Sequence, residues 1–93
     1  MRRVELSPHA EGDLRRLEDF LIGKSDRSAL AAADAIISAI ESLADFPDRG
    51  RAVGADGRRQ LVVAFGRDGY VVRYRVTPTV VFITRIYHGR ERR

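Results

Sequence analysis

Apolar residues recur at helical spacing in the first half of the chain and at strand spacing in the second. Val4-Glu5-Leu6 alternates apolar and polar, which predicts a short first strand. Ser7-Pro8 then reads as a helix start, since serine caps free N–H groups and proline is pre-set for the first helical position. Ala10, Leu14, Leu17 and Leu21 follow at spacings of four, three and four, giving one apolar stripe. Gly23 is the expected stop. Ser25 or Asp26 can cap a second helix, whose stripe is Ala29, Ala33, Ile36, Ile37, Ile40, Leu43 and Ala44. Phe46-Pro47 ends it, because proline disfavours helix at the residue before it. The short connection between the stripes predicts an antiparallel helical hairpin.

From Pro47 to Gly57 the chain is loop-like, with few apolar residues. Strands are expected at about Arg59–Phe65, Tyr70–Val76 and Thr79–Tyr87. Gly66-Arg67-Asp68-Gly69 and Thr77-Pro78 are the turns, so both connections are hairpins. In the middle strand Tyr70, Val72, Tyr74 and Val76 share one face, and Val71, Arg73 and Arg75 the other. In the last strand Val80, Phe82, Thr84 and Ile86 oppose Val81, Ile83, Arg85 and Tyr87. With the first-named faces on the helices, the core contains Leu14, Leu17, Ile36, Ile40, Val72, Tyr74 and Phe82. Arg73, Arg75, Arg85 and Tyr87 then gather on the far face, an assignment that a one-residue slip would reverse. The expected fold class is α+β: an N-terminal strand, the helical hairpin, then antiparallel strands, in the order β-α-α-β-β-β.

Ninety-three residues make a single domain, expected to span residues 1–93, and 44% apolar content suits a globular one. With no cysteine there is no disulfide framework, and two histidines are too sparse for a metal site, so no cofactor is expected. No apolar run approaches the ~20 residues of a membrane span, and the opening residues turn polar too soon for a signal peptide. A cytoplasmic protein with no membrane contact is therefore expected. Charge is more informative when split. Residues 1–45 carry six basic and nine acidic side chains, a net of −3, and residues 46–93 carry eleven and four, a net of +7. Sixteen of the seventeen basic residues are arginine, whose planar fork suits carboxylates, phosphates and aromatic faces. The partner of the second half is expected to be an acidic protein or a nucleic acid.

Several segments carry a family resemblance. Val4-Glu5-Leu6-Ser7-Pro8-His9-Ala10 with Asp13-Leu14 resembles the opening strand and helix start of the RelE/ParE toxin superfamily. Leu43-Ala44-Asp45-Phe46-Pro47 with Gly50-Arg51 resembles its second-helix exit. Arg59-Gln60-Leu61-Val62-Val63 and Gly69-Tyr70-Val71-Val72-Arg73-Tyr74-Arg75-Val76 resemble its central hairpin, and Arg85-Ile86-Tyr87-His88-Gly89-Arg90-Glu91 resembles the ending of its ParE branch. The resemblance implies the toxin of a type II toxin–antitoxin pair, of the kind known as plasmid stabilisation proteins. A cognate acidic antitoxin would neutralise it and bring it indirectly to DNA within their complex. The ParE branch further implies poisoning of DNA gyrase without catalysis, whereas RelE-like members are ribosome-dependent mRNA endonucleases.

RNA cleavage through the 2′-hydroxyl needs a base, an acid and cations on the phosphate. In the Gly-Tyr-X hairpin pattern RelE nucleases resemble one another in carrying arginine after the tyrosine, where this chain has Val71. The preceding strand, where they place lysines, reads Leu61-Val62-Val63-Ala64-Phe65, and the sequence reaches Arg93 without their terminal tyrosine. These departures favour the ParE branch. The nuclease alternative would use Arg73, Arg85, His88 and Arg90, with His88 as general acid. The bland reading of His88 is a residue capping the last strand, that of His9 a solvated surface residue, and that of Glu11, Asp13, Glu18 and Asp19 a wet helix face. For binding an antitoxin or target, the candidates are Arg73, Arg75, Arg85, Tyr87, His88 and Arg90. A third alternative is a degenerate toxin that survives as a partner-binding module.

Overall fold

A computed structural model gives the element order β1 (Arg3–Leu6), α1 (Pro8–Ile22), α2 (Asp26–Ser42), a 3₁₀ turn (Pro47–Arg49), β2 (Arg51–Ala52), β3 (Arg58–Val63), β4 (Tyr70–Val76) and β5 (Val80–His88). The structure describes residues 1–22 and 26–90, with all side chains in those ranges except residues 20–22, 26, 28 and 29. The expected stop at Gly23, the cap at Ser25 or Asp26, and the stripe positions Leu21 and Ala29 therefore lie outside the described residues or side chains. No described helix is long and apolar enough to cross a membrane.

Helix α1 starts as its sequence dictates. The Ala10 N–H donates to Ser7 Oγ at 3.0 Å, and Pro8 occupies the first helical position, where no N–H is needed. Both helices pack against one face of a five-stranded sheet of order β1-β5-β4-β3-β2. Strands β3 to β5 form the expected antiparallel run, β2 adds to it antiparallel to β3, and β1 extends it by pairing in parallel with β5, Val4 opposite Val81. The expected loop after Pro47 contains two elements missed in the sequence, the 3₁₀ turn and the two-residue β2. Neither has enough residues to show a period.

The core contains Leu17, Ile36 and Ile40 from the helices and Val72 and Tyr74 from β4, all as expected, while Leu14 is half-buried against it. Each fully buried aliphatic side chain contributes roughly 1.5–3 kcal/mol. Ile37, expected within the stripe of α2, is exposed, and Ala32 and Ala39 are buried in its stead. The apolar stripe thus runs Ala32, Ile36, Ala39, Ile40, Leu43, and Ile37 falls off its edge.

Phe82 corrects a second expectation. It is 38% exposed, while its neighbours Val81 and Ile83 are fully buried, so the first half of β5 faces opposite to its expected direction. The cause is a β-bulge. Tyr74 pairs with Ile83 but Arg73 pairs with Arg85, leaving Thr84 as one extra residue in β5. The bulge changes the parity of the strand. Ile83 and Ile86 therefore both point inward although they are three residues apart. Beyond the bulge, Ile86 inward and Tyr87 outward agree with the sequence reading.

Candidate functional site

The helices leave the other face of the sheet uncovered, and the arginines of β3 and β4 stand on it. Reading across the strands, one row is Gln60, Arg73 and Arg85, and the next is Arg58, Arg75 and Phe82. A third row, Val62, Val71 and Tyr87, is apolar. Val62 is 60% exposed, whereas Tyr87 is buried beneath the Arg73 guanidinium, which sits 5.5 Å from its ring centroid. Arg73 Nε also donates to Gln60 Oε1 at 3.3 Å. The face is a mixed surface of cations and hydrocarbon, suited to an anionic partner with apolar parts.

Arg85 is held from the opposite direction. Asp13 of α1 accepts from Arg85 Nε at 2.8 Å and Nη2 at 3.3 Å, and from the Ile86 N–H at 2.9 Å. Asp13 is buried, at 6% exposure. Burial by itself would push its carboxyl up. The hydrogen bonds from Arg85 and Ile86, with the charges of Arg85 and Arg16, outweigh burial and hold it below its ordinary range. Strand β1 ends at Leu6, so beyond it β1 no longer pairs with the edge of β5, and Ser7 together with Asp13 of α1 supplies hydrogen-bond partners there. The Ser7 N–H donates to Ile83 O, Ser7 Oγ donates to Thr84 O, and Asp13 takes the Ile86 N–H. The bulge is thereby sealed by one backbone and two side-chain hydrogen bonds.

Asp13 was read from sequence as part of a wet helix face, and the structure corrects this. The missed signal is positional: Asp13 lies three residues after Ala10 and four before Leu17, both buried, and so on the inward stripe.

His88 lies on the helix-facing side of the sheet. It is the cross-strand partner of Tyr70, and the two rings meet edge-on with centroids 5.3 Å apart. Its Nδ1 accepts from the Arg90 N–H at 3.2 Å. Arg90 Nε in turn reaches Asp68 Oδ2 at 2.7 Å in the β3–β4 turn, and the Gly89 N–H donates to Gly69 O. The end of β5 is therefore tied to that turn.

Of the six sequence-derived candidates, the structure brings Arg73, Arg75, Tyr87 and the backbone of Arg85 to one face, with Arg73 and Arg85 as cross-strand partners. It does not bring His88 or Arg90 to them: His88 faces the other way and Arg90 is drawn to the turn. Among the described residues no three His, Asp or Glu side chains converge where they could hold a metal ion.

Comparison with known proteins agrees with this architecture. The profile of the ParE toxin of the type II toxin–antitoxin system, parDE, matches residues 4–93. The chain is 44% identical to Toxin RelE3 of Caulobacter vibrioides over 93 residues, which covers all of both chains. It is 38% identical over 90 residues to Toxin RelE1 of the same organism, covering 97% of this chain and 96% of that relative. Its fold matches a chain of the chromosomal ParDE TA system from P. aeruginosa with a TM-score of 0.76 at 23% identity, covering 95% of this chain and 96% of that one. The strand, helical hairpin and late basic sheet of this chain are those of the ParE toxin family of type II toxin–antitoxin systems, and the chain belongs to it.

Proposed function

We propose that this type II toxin acts by binding DNA gyrase rather than by cutting RNA, and that its cognate antitoxin presents an acidic segment to the arginine-rich half. The observation that carries the first part is the failure of the nuclease set to converge. A general acid must come within hydrogen-bond reach of the reacting atoms held by the cations. Here the sheet lies between His88, edge-on against Tyr70, and the Arg73 guanidinium on the outer face. Val71, which stands where RelE nucleases carry an arginine, cannot hold a phosphate, and neither can its cross-strand neighbour Val62. Arg73, Arg75, Arg85, Tyr87, His88 and Arg90 then serve as contact or supporting residues, with no proton transfer among them.

Expression without antitoxin, read separately for DNA damage and mRNA cleavage, tests the proposal. DNA damage is expected, and His88→Gln is expected to retain most of the toxicity. Arg75→Glu should lose it by reversing charge on the outer face. This is a cleaner variant than Arg85→Glu, which would set two carboxylates together at buried Asp13. Codon-phased mRNA cuts, slowed by ~10²–10⁴ in His88→Gln as for loss of a general acid, would replace this reading with the endonuclease. Neither lesion would leave a partner-binding module.

A further inference from the structure

The outer face contains a feature that stability alone disfavours. Arg58 lies directly opposite Arg75, so this cross-strand row sets like charges side by side, whereas in the next row Arg85, opposite Arg73, turns its guanidinium to Asp13. Like charges directly opposite destabilise a sheet. Asp56 offsets Arg58 and Asp13 offsets Arg85, but the Arg73 guanidinium hydrogen-bonds only the neutral Gln60 among the described residues. Between these strands lies a cleft of about 220 Å³, lined by Val53, Tyr74, Thr84 and four arginines, of which, among the described residues, Arg58, Arg59 and Arg85 are ion-paired to Asp56, Asp48 and Asp13 and Arg73 is not. The cleft is smaller than the ~300–1,000 Å³ of small-molecule sites, so it suits an anionic group rather than a whole metabolite.

We propose that this face is a track for a single strand of nucleic acid, with Arg58, Arg73 and Arg75 on its phosphates and Phe82 stacking a base. Arg73 and Arg75 are two residues apart on β4, about 6.8 Å along the strand. That spacing is close to the repeat of phosphates in an extended nucleic-acid strand. An anion between Arg58 and Arg75 relieves the repulsion that their row bears. Phe82 supplies the second half of the recognition: it is an exposed aromatic in the Arg58–Arg75 row, placed there by the bulge. Cationic grooves interleaved with aromatic rings bind single strands through phosphate contact and base stacking. An acidic peptide would engage the arginines but has no regular need of the ring. Glu5, on the other side of Phe82, is held by Arg3 at 2.6 Å. The strand is held and not cut, since Glu5, the carboxylate beside Phe82, is engaged by Arg3. This proposal deepens the reading of the face as a target surface, giving the toxin a contact with the nucleic acid that its target handles.

The test uses the full chain and no target enzyme, so its failure leaves the gyrase reading standing. Fluorescence anisotropy is measured with a labelled oligothymidylate, the same length of duplex, and a poly-glutamate peptide, at several salt concentrations. The oligothymidylate should bind best, with log affinity falling against log salt at a slope of about −2, as for three phosphates at about −0.7 each. Arg75→Glu should weaken binding about tenfold or more, and Arg75→Gln should make the slope shallower by about 0.7. Phe82→Ala should cost about fivefold or more with the slope unchanged. Arg15→Glu, on the exposed side of α1, should change little, and thermal melts establish that each variant is folded. Preference for poly-glutamate or duplex, no oligothymidylate binding at low salt, or equal loss in Arg15→Glu would overturn the proposal.

Discussion

Asp13 and Arg85, 72 positions apart in sequence, share two hydrogen bonds, and the same carboxylate accepts the Ile86 N–H. One short side chain thus fastens α1 to the strand that carries half of the candidate residues. It does so at the bulge, where the ladder offers no backbone partner.

Replacing Asp13 with alanine leaves the Ile86 N–H without its acceptor and Arg85 without its counter-charge. The expected loss is about 1.5–3 kcal/mol, the range for hydrogen bonds to a charged group, and Arg85 at 30% side-chain exposure keeps it below that of a fully buried pair. Asp13→Asn, which can still accept from Ile86, should lose less. Urea unfolding of the three proteins checks the order, and an alanine variant as stable as the parent would refute the clasp.

The same carboxyl sets a pH dependence. Its folded value lies below its ordinary 3.8, so the stability it contributes is complete above that value. It is lost as pH falls through 3.8 and on through the lower folded value. The parent and Asp13→Asn should therefore differ most near neutral pH and converge in acid. Chemical unfolding at a series of pH values gives the comparison, and a gap that widens in acid would contradict the sign.

Tyr74 joins the core to the loop beyond α2. Its hydroxyl donates to Pro47 O and accepts from the buried Gly50 N–H, both at 2.8 Å. Tyr74→Phe should cost about 1–3 kcal/mol by leaving that N–H unpaired. Burial pushes the phenol above its ordinary 10.0, the Gly50 bond opposing in part. The stability gained from the neutral phenol is therefore complete below pH 10.0 and lost as pH rises through the folded value. Thermal melts of parent and variant should differ at pH 7 and draw together at strongly alkaline pH.

Antitoxin binding should weaken as salt rises if the arginines of residues 46–93 steer it, because exposed charges are screened over about 8 Å at physiological ionic strength. Titration of toxin with antitoxin at several salt concentrations measures the effect. An affinity indifferent to salt would leave apolar docking as the only driver.

The faces of β4 were legible in the sequence because Arg73 and Arg75 mark its outer side against Tyr70, Val72 and Tyr74. Val80-Val81-Phe82-Ile83 contains no such mark, since both of its faces are apolar. The direction of that segment was set instead by Thr84, whose hydroxyl donates to Arg73 O across the bulge. An inserted residue leaves no trace in an apolar run, and the exposure of Phe82 could not be read there. The candidate arginines were found by their alternation. Their carboxylate partners Asp13 and Asp68 were not, because ion pairs between distant segments have no sequence period.

The parallel pairing of β1 with β5 governs how the protein is made. Arg3 and Val80 are 77 positions apart, which at ~5–20 residues per second is roughly 4–15 s of synthesis. Through that interval β1 and α1 wait without the strand they pack on, and only the last strand made brings the sheet together with Asp13. The outer face is thus completed only once β5 has been made.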